Sequence, residues 1–181
     1  MCSICPKGKY QPNVTFDGEC LDCVGSYILD DGQDVTQHDS FEDCQNCAAG
    51  KEFADTITEC IVCSYSKYQD QSNVAGLACK TCSSNTYITD DRKLVDAHTA
   101  QGDCVACKEG KFAAAGDRAC DACTAGKESI NSACVNCISG KYSTSEVPTC
   151  EFCPKGFVQA TPGTPYCLPC LRKYNFFSFF L

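Results

Sequence analysis

The most chemically versatile residues in this sequence are its cysteines, whose thiols can form disulfides, bind zinc or take part in redox exchange. There are 20 cysteines in 181 residues, and every one belongs to a C-x-x-C pair. A spacing this regular, with no cysteine left over, indicates a repeat organised by sulfur chemistry. The ten pairs are Cys2/Cys5, Cys20/Cys23, Cys44/Cys47, Cys60/Cys63, Cys79/Cys82, Cys104/Cys107, Cys120/Cys123, Cys134/Cys137, Cys150/Cys153 and Cys167/Cys170.

Three chemistries use the C-x-x-C motif. Zinc ribbons place two such pairs about 15–20 residues apart, and several intervals here are close to that length. However, the intervals follow no fixed alternation of short and long, and tetrathiolate sites would add negative charge to a chain whose net charge is already −8. A thioredoxin-like role needs an exposed pair at a helix N-terminus, a setting that the sequence does not offer. We therefore expect disulfides and no cofactor, with zinc as the alternative.

Spacing alone leaves the disulfide connectivity open. One scheme crosses neighbouring pairs two by two, beginning with Cys2–Cys20 and Cys5–Cys23. The other is a ladder, in which the second cysteine of each pair bonds the first cysteine of the next pair. The longer repeat described below contains three pairs, an odd number, so only the ladder gives equivalent cysteines equivalent bonds. The sequence therefore favours the ladder, in which Cys2 and Cys170 lack a partner within the chain and become candidate intersubunit cysteines.

The two histidines, His38 and His98, occupy equivalent places in two long insertions, each after a pair of aspartates. A metal site in each insertion is the alternative to simple inheritance by duplication. A calcium loop needs its carboxylates and turn glycine at fixed positions, and Gly32 of the first insertion is replaced by Arg92 in the second. No Ser/His/Asp set or carboxylate pair has a supporting context. The sequence therefore predicts neither a metal site nor catalysis.

Two repeats of different length position these residues. In the shorter one, a C-x-x-C pair is followed by glycine, lysine and an aromatic residue, as in Gly8-Lys9-Tyr10. The glycine suits a turn with positive φ, and the aromatic residue is suited to begin a strand and cover the neighbouring disulfide. In the longer one, Cys20, Cys44 and Cys60 recur at Cys79, Cys104 and Cys120. We predict repeat 1 at 2–59, repeat 2 at 60–119, a shorter degenerate repeat 3 at 120–170, and a hydrophobic tail at 171–181.

Regular secondary structure should be scarce, because small polar residues interrupt every window and no stretch keeps a helical apolar period. The predicted fold is small and disulfide-rich: an elongated tandem array of short two-stranded hairpin modules. The insertions near Ser40 and Ala100 are expected to hold one helical turn each. Because such an array lacks a single large core, its stability should depend on disulfides.

The acidic composition argues against two classes of partner. Lysine and arginine do not cluster, so the chain is a poor match for a phosphate backbone or an anionic membrane surface. No apolar run is long enough to span a bilayer, and no apolar leader follows Met1. We expect no nucleic-acid partner, no membrane span, and either a mature form or a piece of a longer chain.

Two further segments predict modification and assembly. Asn13-Val14-Thr15 is an N-glycosylation acceptor between two cysteines, so Asn13 is a predicted glycan site if the protein is secreted. The tail holds four phenylalanines in five positions, which is typical of an assembly contact or of a truncated hydrophobic signal. The candidate assembly residues are Phe176, Phe177, Phe179 and Phe180.

The stretch from Cys5 through Tyr10 to Cys20, followed by the next C-x-x-C, resembles the cysteine-rich repeats of tumour necrosis factor receptors. It is still more similar to ephrin-receptor-like cysteine-rich repeats, and Cys153 to Cys167 follows the same pattern. At the level of cysteine, glycine and aromatic residue, the likeness covers nearly the whole chain. The periodic C-x-x-C with long loops is also similar to lipid-anchored surface antigens of ciliates and other protists. The resemblance implies extracellular modules with structural, adhesive or ligand-binding roles.

These observations together predict an extracellular or cell-surface structural protein. We expect a glycosylated, non-catalytic subunit of a filament, appendage or coat that polymerises head to tail with copies of itself. A ligand-binding, receptor-type ectodomain is the alternative, and a zinc-binding intracellular protein is a third hypothesis.

Overall fold

The computed structural model describes residues 3–12, 18–131 and 133–171. Within these residues, nine disulfides close nine successive loops, and we call each loop a module. A module begins at its opening cysteine, the second of a C-x-x-C pair, and ends at its closing cysteine, the first of the next pair. Equivalent cysteines of repeats 1 and 2 therefore make equivalent bonds, as in the ladder. Modules 1 to 9 are Cys5–Cys20, Cys23–Cys44, Cys47–Cys60, Cys63–Cys79, Cys82–Cys104, Cys107–Cys120, Cys123–Cys134, Cys137–Cys150 and Cys153–Cys167.

Eight modules of the described chain, each taken together with the two residues after its closing cysteine, form a two-stranded antiparallel hairpin, and each hairpin is a separate sheet. One strand follows the opening cysteine, and the other follows the closing cysteine or, in module 7, includes it, so the disulfide ties the two strands together. The predicted tandem array of small disulfide-rich hairpins is confirmed. The strand pairs are Lys9–Tyr10 with Leu21–Asp22, Lys51–Glu52 with Ile61–Val62, Lys67–Tyr68 with Lys80–Thr81, Thr86–Tyr87 with Val105–Ala106, Lys111–Phe112 with Asp121–Ala122, Lys127–Ile130 with Ala133–Asn136, Lys141–Tyr142 with Glu151–Phe152, and Phe157–Val158 with Leu168–Pro169.

Module 2 has a single bridge, between Tyr27 and Gln45, in place of a hairpin. The two long insertions fold into short 3₁₀ helices, two in each insertion where we had expected one turn. The helices are Val35–Gln37 and Phe41–Asp43 in module 2, and Val95–His98 and Gln101–Asp103 in module 5.

The N-termini of the second 3₁₀ helices share one capping device. The carboxylate of Asp43 accepts the backbone N–H of Ser40 at 2.8 Å, and the carboxylate of Asp103 accepts the backbone N–H of Ala100 at 2.8 Å. Ser40 adds its own hydroxyl, which accepts the backbone N–H of Glu42 at 3.1 Å. Side-chain oxygens thus satisfy N–H groups that have no partner within so short a helix.

The buried apolar side chains form three small clusters, each built on a disulfide. Tyr10 packs against Cys23, Ile28 and Cys44. The other two clusters combine Leu77 with the Cys47–Cys60 disulfide, and Tyr68 with Cys82 and Ile88. An aromatic residue of one module can therefore cover the disulfide of the next, which links neighbouring modules through their small cores.

One backbone position recurs in the modules and sets their turns. The third residue after the opening cysteine has a positive φ in eight modules, and we call it the turn residue. Six of these residues are glycine, and the others are Ser66 (φ 52°) and Asn85 (φ 64°). In module 2 the positive φ falls one residue earlier, at Gly25 (φ 73°), and there Gly25 is the turn residue. A left-handed conformation disfavours residues with a β-carbon, which explains the glycines.

The chain divides into two compact units. One comprises Met1–Ala106 and Ala113–Ala119, and the other Cys107–Phe112 and Cys120–Leu181. This division does not test the predicted repeat boundaries, which stay predictions. In the described part of the chain, no helix has the length and apolar character needed to cross a bilayer.

Candidate functional site

A buried histidine fastens each long insertion to the hairpin before it. In module 5, the side chain of His98 is fully buried. Its Nδ1 lies 2.6 Å from the carbonyl oxygen of Lys67, in the hairpin of module 4, and its Nε2 lies 3.1 Å from Oδ2 of Asp90. The backbone carbonyl of His98 also accepts the N–H of Gln69 at 2.8 Å. The insertion is therefore held to module 4 through both the ring and the main chain.

The first insertion repeats this arrangement. His38 is 3% exposed, and its Nδ1 and Nε2 lie 2.7 Å from the carbonyl oxygen of Lys9 and 3.1 Å from Oδ2 of Asp30. Gln11 donates its N–H to the carbonyl of His38 at 2.8 Å. The duplication has thus preserved a complete set of contacts and not merely a residue type.

We call each set of a buried histidine, the lysine carbonyl and the aspartate that it contacts a clasp. The aspartate in each clasp also organises the start of the insertion. Oδ2 of Asp90 accepts the backbone N–H groups of Lys93 and Leu94 at 2.9 and 3.0 Å. The N–H of Leu94 is the main cause that lowers the pKa of Asp90, and the N–H of Lys93 and the His98 ring lower it further, whereas partial burial raises it. Each of these donors stabilises the ionised carboxylate.

Asp30 is held in the same way. Its Oδ2 accepts the N–H groups of Gln33 and Asp34 at 2.8 and 3.1 Å. The N–H of Asp34 is the largest influence that lowers the pKa of Asp30, and His38 adds to it. In both insertions, therefore, the ionised aspartate is the form that the fold stabilises.

The surroundings of the two rings define what they can do chemically. A backbone carbonyl and an ionised carboxylate only accept hydrogen bonds, so both ring nitrogens donate together only when the ring is protonated. With both nitrogens occupied and the ring buried, neither histidine presents a lone pair to a substrate. Among the residues that the structure describes, no group of three or more His, Cys, Asp or Glu side chains could hold a metal ion. The clasps are structural contacts.

The two aspartates of the second insertion have different partners. Asp90 contacts His98, whereas Asp91 points elsewhere and lies 3.7 Å from the guanidinium of Arg118. An open depression of about 490 Å³ lies beside the second insertion, with Leu94 and Val105 in its wall. The residue equivalent to Leu94 in the first insertion is Asp34, so the duplication does not preserve this apolar wall.

The contacts that recur throughout the described chain are the joints between successive modules. In the first of them, the carbonyl of a turn residue accepts the N–H of the next opening cysteine: Gly50 accepts from Cys63 at 2.9 Å, and Gly140 accepts from Cys153 at 2.9 Å. In the second, the N–H of a turn residue donates to the following module, as from Gly126 to the carbonyl of Ser143 at 2.9 Å. A turn residue can thus bond to the following module through both its carbonyl and its N–H.

A third contact links modules 1, 2, 3, 6 and 7 to the second module after each of them. A β-carbon placed on Gly8, Gly25, Gly50, Gly110 or Gly126 would lie closer than 3.0 Å to a loop two modules further along the chain. We call the space over a turn residue its seat. The residues that fill these five seats are, in order, Thr56, Gly76, Val95, Pro148 and Gly163.

Where the turn residue is not glycine, its contact with the second module after it can be a hydrogen bond. Ser66 of module 4 donates its hydroxyl to the carbonyl of Asp117 in module 6. The same hydroxyl accepts the N–H of Ile88 at 3.2 Å. The turn residue therefore shapes its own hairpin and also contacts the modules that follow.

The predicted assembly cysteine that the structure describes, Cys170, follows the closing cysteine of module 9. Cys170 is exposed and has no disulfide partner among the described residues. Its N–H donates to the carbonyl of Gly156 at 2.7 Å, which is the bond that the opening cysteines of modules 2, 4, 5, 7, 8 and 9 make. Cys170 therefore lies where an opening cysteine lies.

The other predicted site residues divide into two groups. Those in the nine disulfides are Cys5, Cys20, Cys23, Cys44, Cys47, Cys60, Cys63, Cys79, Cys82, Cys104, Cys107, Cys120, Cys123, Cys134, Cys137, Cys150, Cys153 and Cys167. Those outside the described residues are Cys2, Asn13, Phe176, Phe177, Phe179 and Phe180, and the roles predicted for them stay predictions.

Sequence reasoning missed the seats and the clasps. The signal for the seats was the glycine three residues after most opening cysteines, which we had read as a turn residue alone. The signal for the clasps was the joint duplication of a histidine and the first aspartate of the pair before it.

No protein-family model matches the sequence, and no curated protein is significantly similar to it. The likeness to ephrin-receptor-like and tumour necrosis factor receptor repeats therefore stays a prediction from the motif.

Proposed function

We propose that this protein is an extracellular structural subunit that joins copies of itself head to tail, in a filament, appendage or coat at the cell surface. It works by binding and not by catalysis, and its joints are of the kind that already connect its own modules.

The compartment is argued from the sulfur chemistry. Nine disulfides join cysteines throughout the described chain. Such a framework forms and persists where the medium is oxidising, as outside the cell, whereas thiols in the cytosol are kept reduced. If the protein is secreted, it encounters the glycosylation machinery, and we propose that Asn13 then carries a glycan.

The position of Cys170 is the observation that supports assembly. Its N–H bond to Gly156 is the one that opening cysteines make within the chain, and those cysteines go on to bond the closing cysteine of their own module. Cys170 is presented in the same way but is exposed and has no partner in the described chain. An unpaired cysteine of a secreted protein is a candidate for an intermolecular bond. We propose Cys2 of the next copy as its partner.

This contact would be heterologous, because one end of the subunit meets the other end of its neighbour. A heterologous contact that does not close into a ring produces an open filament. The phenylalanine-rich tail follows Cys170 directly in sequence, and we propose that it packs on the neighbouring copy.

The test compares the wild-type chain with Cys170→Ser after oxidative refolding, on non-reducing gels and by electron microscopy. The wild type should form a series of covalent multimers that reductant collapses to monomer, and Cys170→Ser should lose the series. Cys170→Ser leaves all nine internal disulfides in place and so controls for folding. A native protein with a free Cys170 thiol that remains a monomer would contradict assembly. If that monomer bound a protein ligand, the receptor-type role would replace it.

A further inference from the structure

The ring of His98 lies between two groups that accept hydrogen bonds. Its Nδ1 is 2.6 Å from the carbonyl oxygen of Lys67, and its Nε2 is 3.1 Å from Oδ2 of Asp90. A neutral imidazole has one N–H and one lone pair, so one of its nitrogens would turn a lone pair toward an acceptor. The protonated ring donates at both nitrogens and is the form that satisfies both contacts.

The carboxylate of Asp90 does not supply the missing proton instead. Its Oδ2, which faces the ring, also accepts the backbone N–H groups of Lys93 and Leu94 at 2.9 and 3.0 Å. The N–H of Leu94 is the main cause that lowers the pKa of Asp90, so this carboxyl group is ionised at neutral pH. The proton that completes the contact therefore belongs on the ring of His98.

Burial makes the charge of the ring decisive for the contact. The side chain of His98 is 0% exposed and that of Asp90 is 14% exposed. A lone pair that faces an acceptor in such a place has no water to bond, and an unsatisfied buried polar group is costly. A buried charge is tolerated where it is paired and hydrogen-bonded, which is the situation of a protonated His98.

The first clasp has the same geometry. The ring nitrogens of His38 lie 2.7 Å from the carbonyl oxygen of Lys9 and 3.1 Å from Oδ2 of Asp30, and the same Oδ2 accepts the N–H groups of Gln33 and Asp34. The side chain of His38 is 2% exposed. Two insertions that differ at other positions therefore both place a ring between two acceptors.

The charged groups around each ring also favour a positive charge there. On the described elements that pack around His98, the titratable or charged side chains are those of Lys67, Tyr68, Asp90, Asp96 and Asp103. Around His38 they are those of Lys9, Tyr10, Asp30, Asp34, Asp39, Glu42 and Asp43. Carboxylates outnumber the single lysine in each set, and nearby carboxylates stabilise an imidazolium ion.

We infer that each clasp closes around a protonated histidine, and that loss of this proton to water releases the insertion from the hairpin before it. The Cys82–Cys104 disulfide still closes module 5, so the release is a local opening of the fold. Docking of an insertion contributes its full stability below about pH 6.5, where an unfolded histidine is also charged, and loses it as the pH rises.

The charge of each ring is measured directly by long-range ¹H–¹⁵N NMR spectra of the full oxidised chain at pH 7. The two nitrogens of an imidazolium ion have similar ¹⁵N shifts, whereas those of a neutral ring differ widely. His38 and His98 should both show the imidazolium pattern. Neutral rings in the docked state would overturn the inference.

The opening of each clasp is measured by hydrogen exchange. The amides of Gln69 and Gln11 donate to the carbonyls of His98 and His38 at 2.8 Å, so their protection reports that the insertions are docked. Above about pH 6.5 the opening equilibrium should rise about tenfold per pH unit, because one proton leaves with each opening. The amide of Cys153, which donates to the carbonyl of Gly140 at 2.9 Å, should follow only the ordinary dependence of exchange on hydroxide.

Asp90→Asn is the principal variant, because the side-chain amide that it introduces can donate to the lone pair of a neutral ring. The extra pH dependence at Gln69 should disappear in this variant and persist at Gln11, whose clasp is unchanged. Asp91→Asn is the matched control. It removes the adjacent carboxylate, which lies 3.7 Å from the guanidinium of Arg118, and should exchange at Gln69 like the wild type.

An extra pH dependence at Gln69 that survives Asp90→Asn, or that Asp91→Asn removes equally well, would overturn the inference. If Asp90→Asn leaves Gln69 unprotected at every pH, the variant does not dock. The ring-nitrogen spectra and the Gln69 exchange of the wild type then decide, and an opening equilibrium that does not change with pH would reject the protonated clasp.

Discussion

A buried imidazole with an acceptor at each ring nitrogen links segments that are distant in sequence. His98 joins the carbonyl of Lys67 to the carboxylate of Asp90, and these two groups are 31 and 8 residues away in sequence. Removal of the ring leaves both acceptors in a poorly hydrated place, where an unpaired polar group is costly.

We expect His98→Ala to lower the free energy of unfolding by about 1–3 kcal/mol, through the lost hydrogen bonds and the cavity. His38→Ala should act similarly, because its contacts are the same. Denaturant titration of the oxidised protein gives the measurement. Both variants should still assemble, and a loss of assembly with unchanged stability would instead indicate a binding role for the histidines.

The two aspartates of the clasps predict sensitivity to acid. The folded state lowers the pKa of Asp30 and Asp90, so their contribution to stability is fully present above the pKa of an unfolded aspartate, about 3.9. It is lost as the pH falls through the lower folded value. The unfolding midpoint should therefore begin to drop as the pH falls below about 5 and continue to drop until the pH is below the lowered folded pKa, and Asp90→Asn should show a smaller drop. An equal drop in the variant would refute the assignment.

At this scale the sequence revealed partners only where a motif or a duplication marks them. It predicted the disulfide cysteines, because all of them stand in pairs, and it singled out the histidines as duplicated. It did not reveal that His98 is fully buried, because burial in this chain comes from contacts between modules and leaves no local apolar period.

At the scale of elements, the turn residue both shapes its own hairpin and contacts the modules that follow. The strands are mostly two residues long, too short to be stable alone, and the disulfide and the joints complete them. The sequence predicted these hairpins from glycine, lysine and aromatic residue, since turn chemistry is local. The second 3₁₀ turn in each insertion was not expected, because its cap by Asp43 or Asp103 needs only one side chain in the right place.

Two glycines provide a matched test of the joints. Gly110 and Gly140 are both turn glycines of one compact unit, but a β-carbon on Gly110 would collide with Pro148, whereas one on Gly140 meets no described atom. Gly140→Ala should cost about 1–2 kcal/mol for the left-handed backbone. Gly110→Ala should cost about 1–3 kcal/mol more, because the loop of Pro148 must move.

The comparison is made by denaturant titration in the Cys170→Ser background, so that assembly does not contribute to the stability measured at Gly140. Equal losses for the two variants would mean that the loop of Pro148 does not rest on module 6 in solution.

At the scale of the whole molecule, the odd number of C-x-x-C pairs in the longer repeat favours the ladder of disulfides. The disulfides in the structure follow that ladder. The contact between a module and the second module after it could not be predicted from the sequence, because it depends on how successive modules pack. Neither the spacing of cysteines nor the turn glycines encode that packing directly.

The absence of any large apolar cluster among the described residues predicts dependence on disulfides. Each loop closed by a disulfide contributes about 3 kcal/mol in the chain-entropy model, and the three small clusters offer little to replace it. Reduction should therefore abolish amide dispersion in the NMR spectrum. A metal chelator without reductant should have no effect. If the chelator alone unfolded the protein and released thiols, zinc would be the correct chemistry.

The ladder also has a mechanical consequence. The shortest covalent path through a module crosses the disulfide, whose Cα atoms are 5.5–5.9 Å apart. It then follows three Cα steps, at most about 11 Å, to the next opening cysteine. This path is the same whether the bypassed loop spans 11 residues or 22. Under tension the loops bear no force, so the long insertions enlarge the surface without adding contour length, and reduction of the disulfides would release that hidden length.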